Sequence, residues 1–312
     1  MSEQDYLDIE QAAAELGVSR ATIWNLVRRH GLTRYRIPAR GKKTFLSRAE
    51  VAGLRLHVRD SGPVAAPAIV MLHGFGASLH TWEPWAEALS GRFRVIRYDL
   101  PGFGLTGPDP TGDYSDARAV AVLAALMDRL GVQRASLIGN SLGGEIAWRF
   151  AAAHPARVTR LVLIAPAGFA PPGRAYGEPM RVPLLAQLLR YTLPEAVVRS
   201  GVATAYGDPA ALNEAVVMRY WELLLAPGVR EAILARAEQS RLADPRPLLR
   251  QVGAPTLLLW GERDRLIPVA SARDYLSCLP AATLVVLPGL GHVPQEEAPA
   301  TALAPVRAFL GG

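Results

Sequence analysis

The chain has 312 residues, 50% of them apolar and 20% charged, enough to bury a sizeable core and to exclude disorder of the whole chain. Its net charge of +6 is unevenly spread: nine basic side chains and no acidic one stand between Ser19 and Arg48, among them both lysines of the protein, Lys42 and Lys43. Such a stretch attracts polyanions. The start, MSEQDYLDIEQAAAELG, has no leader pattern, and the longest apolar stretch, LVLIAPAGFAPPG, is too short for a bilayer, so a cytoplasmic protein with no membrane partner is expected.

In chain order, Ile9, Ala12, Ala13 and Leu16 share one helical face, and Gly17 ends that helix. Ser19 can cap a second helix, ATIWNLVRRH, with Ile23, Leu26 and Val27 turned inward. Two short helices around a Gly-containing turn make a helix-turn-helix. The start of the second would meet base edges with Arg20, Thr22, Trp24 and Asn25, and its end carries Arg28 and Arg29. RYRIPARGKKTFL then predicts two short strands around a Pro/Gly turn, a wing whose Arg36, Lys42 and Lys43 suit phosphate contact. With SRAEV as a closing helix, YLDIEQAAAELGVSRATIW and TRYRIPARGKKTFLSRAEV resemble an excisionase- or MerR-type helix-turn-helix domain. The resemblance implies DNA as a partner of residues 6–54, although no dimerising coiled coil accompanies the segment.

RAEVAGLRLHVRDSGP has two claimants. SRAEVAGL fits a closing helix, yet a sheet-forming domain could take the same residues as its first strand. The helix is expected to win, giving a small domain over 1–53 and a large one over 54–312 whose sheet starts at Leu54–Arg59 and lacks an edge strand, a loss few ladder bonds would register. The alternative keeps the strand and truncates the small domain.

From Leu54 onward apolar strands alternate with helical segments, the pattern of a mostly parallel sheet covered on both faces. The buried strands are read as AIVML, RVIRYD, ASLIG, RLVLIA, TLLLW and TLVVL. Between the fourth and fifth, about residues 167–250 break the rhythm with a Pro-rich entry and amphipathic helices, which reads as a helical cap over one end of the sheet. The lone Cys278 has no partner for a disulfide or a metal pair and is expected to pack as a small residue in a helix. GFGLTG, residues 102–107, matches a dinucleotide fingerprint but is followed by PDPTGDY where a helix must open, so it is read as a loop near the site.

GNSLG, residues 139–143, fits G-x-S-x-G in its demanding context of a strand before and a helix after, which leaves Ser141 exposed at the sheet's carboxyl edge. A serine needs a base and an orienting acid. LLLWGERDRLIP places Asp264 after the strand TLLLW and LVVLPGLGHVPQEE places His292 after the last, both at the same edge. Backbone N–H groups of Phe75, in MLHGFG, and Leu142 would receive an oxyanion. His73, Asp99 and Glu262 also stand at strand ends and are read as loop-bonding residues.

HGFG, GNSLGG, GERDRLIP and GLGHVPQEE together make residues 54–312 resemble the α/β-hydrolase superfamily. The resemblance implies a serine hydrolase working through an acyl-enzyme, with no cofactor and no metal. A serine nucleophile argues against the epoxide hydrolase and haloalkane dehalogenase branches, which use aspartate. GNSLGG is also similar to the carbon–carbon hydrolases of aromatic ring-fission products, but those carry HGxGPG and GHWxQxE where this chain has HGFGAS and GHVPQEE. A small ester-like substrate is therefore preferred. In the cap, Arg174, Arg181, Arg190 and Arg219 interleave with Tyr176, Tyr191, Tyr220 and Trp221; a pocket for an acidic or aromatic acyl group is one reading, and solvated helix faces are the preferred one. Three functions stay open: a hydrolase with a passive N-terminal module, a DNA-binding regulator with a hydrolase-like effector domain, and a non-catalytic assembly protein, which the triad disfavours.

Overall fold

A computed structural model describes residues 6–8, 10, 45–47, 54–171, 174–177 and 187–311. In the N-terminal segment, strand β1 (Tyr6–Asp8) pairs antiparallel with β2 (Phe45–Ser47), Tyr6 opposite Ser47. The wing pattern anticipates a strand near Phe45 and Leu46, whereas nothing in the local sequence marks Tyr6–Asp8 as its partner. Arg20, Thr22, Trp24, Asn25, Arg28, Arg29, Arg36, Lys42 and Lys43, and the disputed residues 48–53, lie outside the described residues.

Seven further strands form one sheet: β3 (Val58–Ser61), β4 (Ala68–Leu72), β5 (Arg94–Tyr98), β6 (Ala135–Asn140), β7 (Val158–Ile164), β8 (Thr256–Gly261) and β9 (Ala282–Leu287), in the spatial order β3-β5-β4-β6-β7-β8-β9. Only β3 runs antiparallel to its neighbour. Among the described residues the α-helices with full ranges are α1 (Glu83–Leu89), α2 (Asp116–Arg129), α3 (Leu142–Ala153), then α4 (Glu195–Ala205), α5 (Glu214–Leu224), α6 (Val229–Gln239) and α7 (Arg246–Leu249) between β7 and β8, and finally α8 (Ala272–Leu276), α9 (Pro294–Glu297) and α10 (Pro299–Leu310). Alternate side chains of β4 enter different layers, as a period of two demands. Val70 and Leu72 meet Val122, Leu123, Ile146 and Phe150 of α2 and α3, while Ile69 and Met71 meet Trp85, Leu303 and Val306 of α1 and α10.

Beyond shifts of a residue or two at strand ends, three features differ from the sequence reading. The first strand of the large sheet begins at Val58, because the His57 N–H donates to Thr106 Oγ1 at 2.9 Å, outside the sheet ladder. TLVVL reads as buried, but β9 is an edge strand and leaves Val286 40% exposed. Cys278 is buried, in the turn after α8 rather than in a helix.

The helices between β7 and β8 have an apolar seam of their own. Val198, Val202 and Ala205 of α4 pack with Val216 of α5 and with Val293, which directly follows His292. These helices therefore cover the carboxyl end of the sheet as a cap. On its other side Arg236 of α6, buried, donates to Tyr114 O at 2.6 Å and to Asp116 Oδ1 at 3.2 Å, and Gln239 exchanges bonds with the Tyr114 N–H and Gly112 O, each 2.8 Å.

Candidate active site

Ser141 stands between β6 and α3 at φ 53° and ψ −117°, one of two non-glycine residues with positive φ among the described residues. Such a conformation costs about 1–3 kcal/mol and persists where surroundings enforce it. The Ser141 N–H is held by Ile164 O and its carbonyl accepts from the N–H groups of Glu145 and Ala167, each at 3.0 Å. The flanking glycines answer a steric demand: a Cβ on Gly143 would lie 2.1 Å from Leu72 O, and one on Gly139 would lie 2.3 Å from Gly143 O. With those glycines the turn closes and the serine side chain is left partly exposed.

Asp264 follows β8 and His292 follows β9, and both are buried. His292 Nδ1 lies 2.8 Å from Asp264 Oδ2, while Oδ1 accepts the N–H groups of Leu266 and Ile267, both at 2.9 Å. A carboxylate only accepts, so Nδ1 carries the proton and Nε2 is the bare nitrogen. Asn140 brings this pair to the nucleophile: its Nδ2 donates to His292 O at 2.9 Å and to Ile164 O at 3.1 Å. Ser141 Oγ and His292 Nε2 make no hydrogen bond with one another in this structure, and such bonds often tighten only around a substrate.

Leu142 is the first residue of α3, so its N–H has no acceptor within the helix. Gly74 packs against the nucleophile, a Cβ on it falling 3.3 Å from Ser141 Cβ, which brings the loop carrying Phe75 to the same spot. The Phe75 ring is 50% exposed and stands edge-on to Phe103 at 5.4 Å. His73 lies beside this loop but both of its nitrogens are spent: Nδ1–H donates to Gly74 O at 2.8 Å and Nε2 accepts the Leu100 N–H at 2.9 Å. Burial, above all else, lowers its pKa from the ordinary value. Asp99 accepts from Leu79 N–H at 2.7 Å, Leu105 N–H at 2.8 Å and His57 Nδ1 at 2.7 Å, and Glu262 accepts the Gly289 N–H at 2.9 Å. All three are loop-bonding groups, as their sequence context suggested.

The arginines of the cap divide. Arg174 is exposed, Arg181 lies outside the described residues, and Arg190 bonds to Gln187. Arg219 departs from the solvated reading, because it pairs with Glu296, whose carboxylate is nearly buried and also accepts from Tyr220 OH at 2.8 Å and Thr81 Oγ1 at 3.2 Å. Sequence reasoning missed Glu296, Glu297 and Arg236. The first two stand in the quoted GLGHVPQEE, but nothing in a sequence says which distant backbone a surface-type acid will reach.

A family model described as the α/β-hydrolase fold matches residues 67–299, and the chain belongs to that family. A second model, for a helix-turn-helix domain, matches residues 6–53. Among individual proteins, the chain is 33% identical over 268 residues to the dihydrolipoyllysine-residue acetyltransferase component of the acetoin cleaving system of Pseudomonas putida, covering 84% of this chain and 68% of the relative. It is also 33% identical over 257 residues to a 2-hydroxy-6-oxononadienedioate/2-hydroxy-6-oxononatrienedioate hydrolase of Burkholderia vietnamiensis, covering 78% and 86%. The crystal structure of the enol-lactonase from Burkholderia xenovorans matches with a TM-score of 0.71 and 27% identity, over 83% of this chain and 98% of that one.

Proposed function

We propose that the chain is a serine-dependent hydrolase in which Ser141 is the nucleophile, His292 the general base and Asp264 the group that orients it. One observation carries the reading: at the same sheet edge a serine is held at φ 53° and a histidine has its Nδ1–H committed to a carboxylate. The bare Nε2 takes the Ser141 proton as Oγ adds to a substrate carbonyl, and the N–H groups of Phe75 and Leu142 receive the oxyanion. Collapse of the adduct breaks the bond from the carbonyl carbon to its leaving group, which takes the proton from His292. Water then repeats the sequence on the acyl-enzyme, releasing an acid and free Ser141. Side chains and water account for every proton and electron pair, so the reading calls for no cofactor.

For the leaving group, the relatives weigh toward carbon. The Burkholderia vietnamiensis relative is named for a hydroxy-oxo-dienoate with two carboxylates, and the substrate class proposed for this chain is the same. Hydrolysis of such a compound cuts the carbon–carbon bond beside the 6-oxo carbonyl; the departing carbon, stabilised by conjugation, takes a proton as the acyl half becomes an acid. Ester cleavage is the second reading. It is favoured by Ala77, Ser78 and Val293, which stand where the carbon–carbon hydrolase motifs carry Pro, Gly and Trp, and by the likeness to an enol-lactonase. The helix-turn-helix segment adds a DNA-binding function of excisionase or MerR type, supported by its nine basic residues between Ser19 and Arg48.

A fluorophosphonate probe tests the chemistry without a known substrate. The wild type is expected to label and Ser141→Ala to lose the label while staying folded. Labelling that survives in Ser141→Ala would place the nucleophile elsewhere. Turnover of 2-hydroxy-6-oxononadienedioate against p-nitrophenyl butyrate then separates the two substrate classes, and a preference for the ester would put ester cleavage first.

A further inference from the structure

We propose that Glu297 latches the cap to the loop carrying His292, and that this latch holds the imidazole where proton transfer needs it. The functional half rests on His292 being the general base; the latch rests on geometry alone. The Glu297 carboxylate gathers three backbone N–H groups from two separate pieces of chain. Oε2 accepts from Gly291 at 2.8 Å and Gly207 at 3.0 Å, and Oε1 accepts from Asp208 at 3.0 Å. Gly291 directly precedes His292, whereas Gly207 and Asp208 form the turn that leaves α4.

The same two pieces meet a second time. The His292 N–H donates at 2.7 Å to the carbonyl of Ala205, the last residue of α4, where a helix has no acceptor duty of its own to fulfil. Their backbones nearly touch: a Cβ on Gly291 would lie 2.3 Å from Gly207 N, and one on Gly207 would lie 2.2 Å from Gly289 O. Neither position can carry a side chain unless the segments separate. One residue before Glu297, Glu296 binds α5 through Arg219 and Tyr220, so consecutive acids engage α5 and the turn that leaves α4.

His292 is thereby fixed on three sides. Its ring is held by Asp264, its carbonyl by Asn140 of the nucleophile strand, and its N–H, with that of Gly291, by the cap and Glu297. A carboxylate suits this task because it offers several acceptor sites and brings no donor to compete with the converging N–H groups. Removing it strands the part-buried donors of Gly207 and Gly291, while the exposed Asp208 N–H can turn to water, and lets the two segments part. Misplacing a base by a fraction of an ångström to one ångström costs rate steeply, so Glu297 acts as a positioning residue through His292, without touching substrate.

The test uses the full-length chain with Glu297→Ala and Glu297→Gln, each studied well below its melting temperature. One arm follows amide hydrogen exchange over residues 205–208 and 290–293. The other follows Ser141 labelling by a fluorophosphonate, with kcat and KM for p-nitrophenyl butyrate. In Glu297→Ala, exchange in both segments is expected to rise together, with labelling and kcat down about ten- to a hundredfold and KM within about a factor of two. Glu297→Gln, which keeps one acceptor oxygen, is expected to fall between, and it carries the test if the alanine variant does not fold. Unchanged exchange overturns the latch. Faster exchange with wild-type labelling and kcat overturns its positioning role, leaving Glu297 a matter of stability alone. A wild type that neither labels nor turns over the ester sinks the serine-hydrolase reading instead, and exchange still decides the latch.

Discussion

His73 and His292 stand in equally suggestive motifs, HG and GH, and their bonding partners separate them. His292 keeps one nitrogen free, while His73 has spent both on Gly74 O and the Leu100 N–H, inside an environment that lowers its pKa by burial. That lowering has a consequence for stability. Below the ordinary histidine value of about 6.5, the unfolded chain takes up a proton that the folded chain refuses, so stability is complete above that pH and falls as pH drops toward the folded value. The slope approaches about 1.4 kcal/mol per pH unit for each such group. His80, lowered mainly by burial, pulls the same way. Urea unfolding midpoints are expected to decrease between about pH 7.5 and about pH 5.5, and His73→Asn, less stable at neutral pH, is expected to show a shallower dependence. An Asn variant with the wild-type slope would remove His73 from the account. At this scale the sequence already marked Ser141, Asp264 and His292, because strand-end motifs are local. The bond from Asn140 to His292 O spans 152 residues and had no local signal.

Elements were legible where burial alone decides them and obscure where a partner does. The central strands AIVML and, after Thr256, LLLW are apolar throughout because both faces are covered. Edges depend on neighbours: β3 starts late because Thr106 captures the His57 N–H, and β9 is half exposed because nothing pairs beyond it among the described residues. The cap helices were readable as amphipathic, but not their anchors. Arg236 is the instructive case, an arginine of α6 whose guanidinium is buried against Tyr114 O and Asp116. Arg236→Ala is expected to cost about 2–3 kcal/mol, since it removes charged hydrogen bonds and leaves the Tyr114 carbonyl to find another donor. Urea denaturation checks this. An unchanged midpoint would mean that Gln239 alone secures that side of the cap.

At the scale of the whole chain, the two family matches end at residue 53 and begin again at residue 67. The stretch between them is no free tether. Leu54 and Leu56 pack against the core, His57 bonds to Asp99 at 2.7 Å, and Val58–Ser61 joins the sheet as β3. Asp99 in turn holds the loops at Leu79 and Leu105, so the first residues after the helix-turn-helix match are built into the loops beside the candidate site. If the N-terminal segment binds DNA, its basic residues should release counterions from the phosphates, and affinity for a duplex of arbitrary sequence should fall linearly on a log–log plot against salt. Arg28→Ala combined with Arg29→Ala is expected to weaken binding across unrelated sequences and to flatten that slope by about 0.9 for each phosphate no longer neutralised. Fluorescence anisotropy between about 50 mM and about 200 mM salt reads both effects. Ser141→Ala serves as the comparator, because it alters the hydrolase chemistry alone and should bind DNA as the wild type does. Affinity that ignores salt, or a double variant that keeps the wild-type slope, would strip the segment of the DNA-binding role proposed for it and leave hydrolysis as the chain's one proposed activity.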